Sequence, residues 1–288
     1  MAFDWSTVYN NVRGSLFFIM LTPSPKLHHV NERRRLAEEA NTTDKGKERE
    51  EALSATKVST GFAVGVRDGD IAILTAAHSI QHLFSGSKPI THGKVNELFT
   101  VRVLCGHYEN AYRQAGSFSL RDYSIGRVAS VECRKDRMLV GVPQNQLRAF
   151  GGGGGPCHEP HTPLHICKSP LEPPGDECHI CAAPLDPPPG DECLMVSWPE
   201  YMPDTLSIGR IGARRTAAQI SRNRVEYAVD ILEVQMGSVP GQSGAPLVNR
   251  TSGVTGVLHG NHGGDHSYFI RAHEVATFLG RFTFDHVA

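Results

Sequence analysis

The sequence lacks a surplus of charge of either sign. Its 29 lysines and arginines against 30 aspartates and glutamates leave a formal net charge of −1, so no overall field draws it to nucleic acid or to an anionic membrane. It lacks a long apolar run: Leu16–Leu21 is far too short to cross a bilayer. Its opening, Met1-Ala-Phe-Asp-Trp-Ser-Thr7, also lacks the basic leader and small-residue cleavage site of a secretory signal. The resulting expectation is an intracellular location, in cytoplasm or nucleus, with no membrane and no nucleic-acid partner. There the seven cysteines should stay reduced or bind metal, not form a disulfide frame. The Asn-x-Thr triplets at Asn41 and Asn249 then read as chance matches and not as glycan sites.

What is present is turn chemistry. With 29 glycines, 18 prolines and 40% hydrophobic residues in 288, the chain can bury a substantial core while turning often. Leu16–Thr22 reads as a buried strand closed by the Pro23-Ser-Pro25 turn. Asn31–Lys57 is dense in Arg, Glu and Lys and reads as a charged surface loop. Gly61–Val66, the turn Arg67-Asp-Gly-Asp70, and Ile71–Thr75 read as a β-hairpin. Further strands are expected at Leu98–Leu104, Ser124–Val131, Met138–Val142, Leu194–Trp198, Thr205–Ile211, Glu226–Val234, Ala245–Asn249 and Gly253–Leu258, with a closing amphipathic helix over Arg271–Phe282.

Residues 151–193 differ in composition. Five glycines, Gly151–Gly155, precede a tandem repeat: His165–Cys178, then His179–Cys193, each running His-Ile-Cys through a proline-rich middle to Gly-Asp-Glu-Cys. Long strands or helices cannot form there, so the segment reads as an inserted, dispensable excursion. Cys167, Cys178, Cys181 and Cys193 are candidate zinc ligands, with a suitable Cys-x-x-Cys at 178–181. The outer spacings match no common finger, and a duplicated low-complexity loop without metal is the competing reading.

The chemistry concentrates in three places. Gly241-Gln-Ser-Gly-Ala-Pro246 sets a serine between glycines, which permit a tight turn and close substrate approach. Leu74-Thr-Ala-Ala-His78 places a histidine after an apolar strand, behind residues too small to block it. Arg121-Asp-Tyr-Ser-Ile-Gly-Arg-Val128 places Asp122 at the start of an alternating strand. Each is unremarkable alone. In the order His, Asp, Ser, with Thr-Ala-Ala-His and Gly-x-Ser-Gly-x-Pro, they resemble the trypsin/chymotrypsin superfamily of serine proteases, and more closely its cysteine-poor intracellular and HtrA-like members.

That resemblance covers roughly Leu16–Leu279 outside the two loops. It implies an all-β fold of two six-stranded antiparallel β-barrels, with a C-terminal helix and the Pro/Gly/Cys-rich insertion between the barrels. The corresponding division is 1–58 for the first strand and charged loop, 59–150 for the first barrel, 151–193 for the insertion, and 194–288 for the second barrel and helix. It implies a catalytic triad of Ser243, His78 and Asp122, an oxyanion hole from the amides of Gly241 and Ser243, a polypeptide substrate and no cofactor. Gln242 stands where activated digestive enzymes carry an acid, so activation by a new N-terminus is not expected. Gly237, six before the serine, carries no acid to read Arg or Lys. The substrate pocket is expected from Met236, Gly237, Leu258, His259 and Gly260, mainly apolar; His259 or His262 is a candidate reader of an acidic or amide side chain, the competing reading being that His259 supports the triad or faces solvent. A protease fold kept only as a peptide-binding groove is the alternative. A lipase or esterase would need a helix after Ser243, where Pro246-Leu-Val-Asn reads as strand.

Overall fold

The hairpin over residues 57–75 shows how the local sequence builds the architecture. Strands β2 (Lys57–Arg67) and β3 (Asp70–Thr75) are joined by Asp68 and Gly69, with φ of 55° and 79°. Two successive left-handed residues give the twist that a two-residue hairpin requires, and Asp-Gly tolerates it. The computed structural model describes residues 3–26, 55–85, 87–108, 123–147, 157, 159–166, 187–199, 202, 204–216, 227–261 and 264–285. Most of the charged stretch before β2 lies outside the described residues.

Before the hairpin come α1 (Ser6–Arg13) and β1 (Leu16–Pro23); after it come α2 (His92–Leu98), β4 (Phe99–Cys105), β5 (Ser124–Glu132) and β6 (Arg137–Pro143). Their strands close an antiparallel barrel in the order β1-β2-β3-β6-β5-β4. β1 thus belongs to the first barrel although the charged stretch separates it in sequence. The second barrel uses β7 (Glu192–Ser197), β8 (Thr205–Thr216), β9 (Asp230–Gln235), β10 (Pro246–Val248), β11 (Val254–Asn261) and β12 (His266–Arg271), in the order β10-β11-β12-β9-β8-β7. Helix α3 (Ala272–Leu279) follows, as the Arg271–Phe282 periodicity predicts.

Three elements had not been expected: α1, α2 and β12. Helix α1 is short and carries Thr, Val and Asn, which weaken helix propensity; Trp5, Val8 and Val12, spaced for one face, hold it by burial. The core runs through both barrels. Strand β7 is buried on both faces, with Leu194 and Val196 in the large cluster shared with Phe17 and Phe62, and Cys193 and Met195 among the residues inside the second barrel.

Residues 157–166, expected to be dispensable, are built into the fold where they are described. Leu164 N–H donates to Ala63 O at 2.8 Å in the first barrel, and Val254 N–H of the second donates to His165 O at 2.8 Å. Leu164 and Ile166 are buried. The inserted segment also ends earlier than expected, because Glu192 and Cys193 already lie in β7. Residues 167–186, which include Cys167, Cys178 and Cys181, lie outside the described residues. Cys193 does not fit a shared zinc site: its thiol donates to Gly209 O at 3.5 Å inside the barrel, and burial raises its pKa to about 12.

One threonine joins the barrels. Thr60 Oγ1 donates to Gly241 O at 3.0 Å and accepts from Trp198 N–H at 2.9 Å, and Thr60 N–H donates to Ser243 O at 2.9 Å. All three partners belong to the second barrel's half of the chain. Thr60→Val keeps the shape but orphans a buried carbonyl and a buried amide, and should cost about 1–3 kcal/mol in urea unfolding. An unchanged midpoint would show that this joint does not hold the barrels together.

Candidate active site

β3 ends at Thr75, and Ala76 and Ala77 continue it into a short 3-10 turn, His78–Leu83. Both alanines are fully buried, so the reading of small residues ahead of His78 holds. In the second barrel, Gly241 (φ 90°) and Gly244 (φ 85°) bracket Gln242 and Ser243. Gly244 is required twice over: its φ is left-handed, and a Cβ there would stand 2.4 Å from both Thr60 O and Thr75 Oγ1. Gln242 is the buried strut of the loop. Its Oε1 accepts from Val239 N–H at 2.7 Å and its Nε2 donates to Ser197 Oγ at 2.8 Å.

These elements bring His78 Nε2 to 2.7 Å from Ser243 Oγ. On the other side of the ring, Nδ1 lies 2.8 Å from Oδ2 of Asp136. The carboxylate expected there was Asp122, and this is corrected: Asp136 occupies the position, and Asp122 lies outside the described residues. The register gives the reason. β3 pairs β6 with Thr75 opposite Met138, so the turn just before β6 falls beside the residues just after β3, and Ala77 N–H donates to Asp136 O at 3.3 Å. In sequence Asp122 precedes β5 and Asp136 follows it, so only Asp136 belongs to the turn that leads into β6.

Asp136 is fully buried and sits at φ 53°, a left-handed conformation that Asp tolerates. Its Oδ1 accepts from the His78 amide at 2.5 Å, and its Oδ2 is shared between His78 Nδ1 and His259 Nδ1, the latter at 2.5 Å. Burial alone would raise the carboxyl's pKa. The two imidazoles outweigh it and hold Asp136 well below the usual carboxylate range. For His78, burial opposes the charged ring, but the charge of Asp136 and its hydrogen bond raise the pKa above its ordinary value. With both Nδ1 atoms facing the carboxylate, each ring carries its proton there, which leaves His78 Nε2 as an acceptor for the Ser243 hydroxyl.

The turn is held from behind. Arg137 is fully buried, pairs with Glu132 at 2.6 Å, and lies 5.2 Å over the Phe278 ring of α3. Lys135 pairs with Glu274 of the same helix at 2.8 Å. Tyr227 meets the His259 ring edge-on at 4.8 Å and donates to Gln81 Oε1 at 3.2 Å. Asp136 is set aside in the sequence reading in favour of Asp122, and Arg137 and Tyr227 are not singled out there. The available signal for Asp136 was its place in a tight turn two strands after the histidine's.

The expected pocket residues separate into two groups. Met236 and Leu258 are buried in the core of the second barrel and do not line an open pocket. His259 is engaged by Asp136, and His262 lies outside the described residues. Gly237 and Gly260 border open space. Among the described residues the Gly241 and Ser243 amides make no hydrogen bond, whereas those of Gln242, Gly244 and Ala245 donate to Val239, Leu258 and Gln242 carbonyls.

Neither protein-family models nor curated proteins match the sequence. Solved structures do. The active form of the Rv3671c protease from M. tuberculosis superposes with a TM-score of 0.54 at 15% identity, covering 98% of this chain and 86% of that one. The fold is chymotrypsin-like. The inactive form of the same protease gives a TM-score of 0.53 at 16% identity, over 96% of this chain and 92% of that one. Deg5 gives 0.53 at 13% identity, over 95% and 90%. Among the described residues, no helix is long and apolar enough to cross a membrane.

The raised pKa of His78 sets a pH signature. The ring must be neutral to accept a proton, so reaction at Ser243 should rise with pH through a single ionisation above 6.5. Rates of fluorophosphonate labelling across pH measure it; a midpoint below 6.5 would contradict the pairing with Asp136. For stability the signs are opposite. Asp136, with its pKa depressed, contributes above its unfolded value and loses that contribution as pH falls through the folded one. His78, with its pKa raised, contributes below its unfolded value and loses that contribution as pH rises through the folded one.

Proposed function

We propose that this chain is a serine endopeptidase acting through an acyl-enzyme on Ser243. The observation that carries the reading is the linear array Ser243 Oγ, His78 Nε2, His78 Nδ1 and Asp136 Oδ2, with separations of 2.7 and 2.8 Å at its two contacts. In the first step Ser243 Oγ attacks the carbonyl carbon of a peptide bond while His78 Nε2 takes the hydroxyl proton. Asp136 keeps the ring in the required tautomer and stabilises the imidazolium. The Gly241 and Ser243 amides donate to the oxyanion of the tetrahedral intermediate. His78 then gives its proton to the leaving amine. Water, deprotonated by the same nitrogen, hydrolyses the ester and restores the serine.

The substrate is a polypeptide, and no cofactor is needed for any step. The absence of an acid at Gly237 argues against a preference for Arg or Lys next to the scissile bond. Gln242, tied to Val239 and Ser197, already holds the nucleophile loop in its turn, in keeping with activity that does not wait for a new N-terminal ammonium.

The test is covalent labelling by a fluorophosphonate probe, located by mass spectrometry. Wild type should be modified on Ser243, Ser243→Ala should not react, and His78→Ala should react slower by several orders of magnitude. A folded wild-type protein with no labelling and no cleavage of a broad peptide library would instead establish a catalytically silent peptide-binding groove.

A further inference from the structure

Away from the active site, four side chains converge where the first barrel meets the segment leading to the second. Cys105 closes β4, and His107 follows it in the 3-10 turn Gly106–Tyr108. Cys157 and His161 come from the connecting segment, far along the chain. The four ligand atoms lie within 4.8 Å of one another. From these residues and their spacing, we propose that Cys105, His107, Cys157 and His161 bind one structural zinc ion.

The distances carry the argument. A tetrahedral zinc with Zn–S of about 2.3 Å and Zn–N of about 2.05 Å implies edges of about 3.8 Å between sulfurs, about 3.3 Å between nitrogens and about 3.6 Å between unlike atoms. Here Cys105 Sγ and Cys157 Sγ are 3.8 Å apart, and His107 Nδ1 and His161 Nε2 are 3.3 Å apart. Cys157 Sγ stands 3.7 Å from His107 Nδ1 and 4.0 Å from His161 Nε2. These four edges are those of a zinc tetrahedron to within a few tenths of an ångström, and the other two, from Cys105 Sγ to the imidazole nitrogens, lie within 4.8 Å. A disulfide requires sulfurs about 2.05 Å apart, and both cysteines are free.

Each ligand is also held in place. Cys105 pairs with Phe17 across β1 and β4, and the ring of His161 stacks on Phe17 at 5.3 Å. Cys157 N–H donates to Leu147 O at 2.5 Å. Gly106 allows the Cys-Gly-His turn to close, since a Cβ there would stand 2.4 Å from Arg13 O. Two thiolates and two imidazoles complete the coordination and leave no open position, so the ion is structural and not catalytic. It fastens the connecting segment, with its contacts to both barrels, onto the first barrel.

Protein purified under reducing conditions should contain one zinc per chain at this site. Alkylation of the native wild type followed by peptide mapping should show Cys105 and Cys157 protected, and both becoming reactive when a strong chelator removes the metal. Cobalt replacement should give the absorption of a tetrahedral site with two sulfur and two nitrogen ligands. All three readouts use wild type, so they hold even if Cys157→Ser or His161→Ala fails to fold. Metal-free protein that takes up no cobalt, a Cys105–Cys157 disulfide, or zinc-dependent protection confined to Cys167, Cys178 and Cys181 would each overturn the proposal.

Discussion

The arrangement depends on keeping one carboxylate charged where no water reaches it. Asp136 is fully buried, and an isolated charge there would cost several kcal/mol. Three donors offset that cost: the His78 amide, His78 Nδ1 and His259 Nδ1. The first two belong to the first barrel and the third to β11 of the second. The same bonds that keep the carboxylate ionised therefore also bring the barrels together, and they leave His78 Nε2 turned toward Ser243. Thr60 reinforces the junction a few residues away by gripping the backbone on both sides of Gln242. Geometry at the candidate site and cohesion between the barrels are two results of one set of hydrogen bonds.

This coupling explains the role of α3. Its sequence reads only as a closing amphipathic helix, with Val275, Phe278 and Leu279 on one face. In the structure its polar and aromatic side chains, Glu274 and Phe278, anchor Lys135 and Arg137 on either side of Asp136. The helix fixes the turn that carries the acid. The buried Arg137 is the more informative of the pair, because a guanidinium is placed in an interior only with partners that compensate it.

Much of the architecture was legible because it is written in local chemistry. Short apolar runs between turn residues located every strand of the first barrel, and Asp68-Gly69 located its first hairpin. Ser243 and His78 were legible because glycine spacing and small neighbours are local requirements. Asp136 was not, since its role arises from the pairing of β6 with β3, a contact between segments that sequence spacing does not specify. Asp122 looked equivalent because both aspartates flank β5, one at each end. The zinc question divided the same way. The repeat drew attention to Cys167, Cys178, Cys181 and Cys193, whereas the cluster that forms joins Cys105 and His107 to Cys157 and His161 across 52 residues between its two cysteines. Cys193 is instead a core residue of β7.

The central claim is that Asp136, and not Asp122, holds the base of the candidate triad. The most direct measurement compares fluorophosphonate labelling rates of Asp136→Asn and Asp122→Asn with wild type, each shown to be folded by circular dichroism. The amide at 136 would present the wrong partner to Nδ1, and labelling should slow by about 10³–10⁴-fold, while Asp122→Asn should stay near the wild-type rate. A severe loss in Asp122→Asn with Asp136→Asn unaffected would contradict the account.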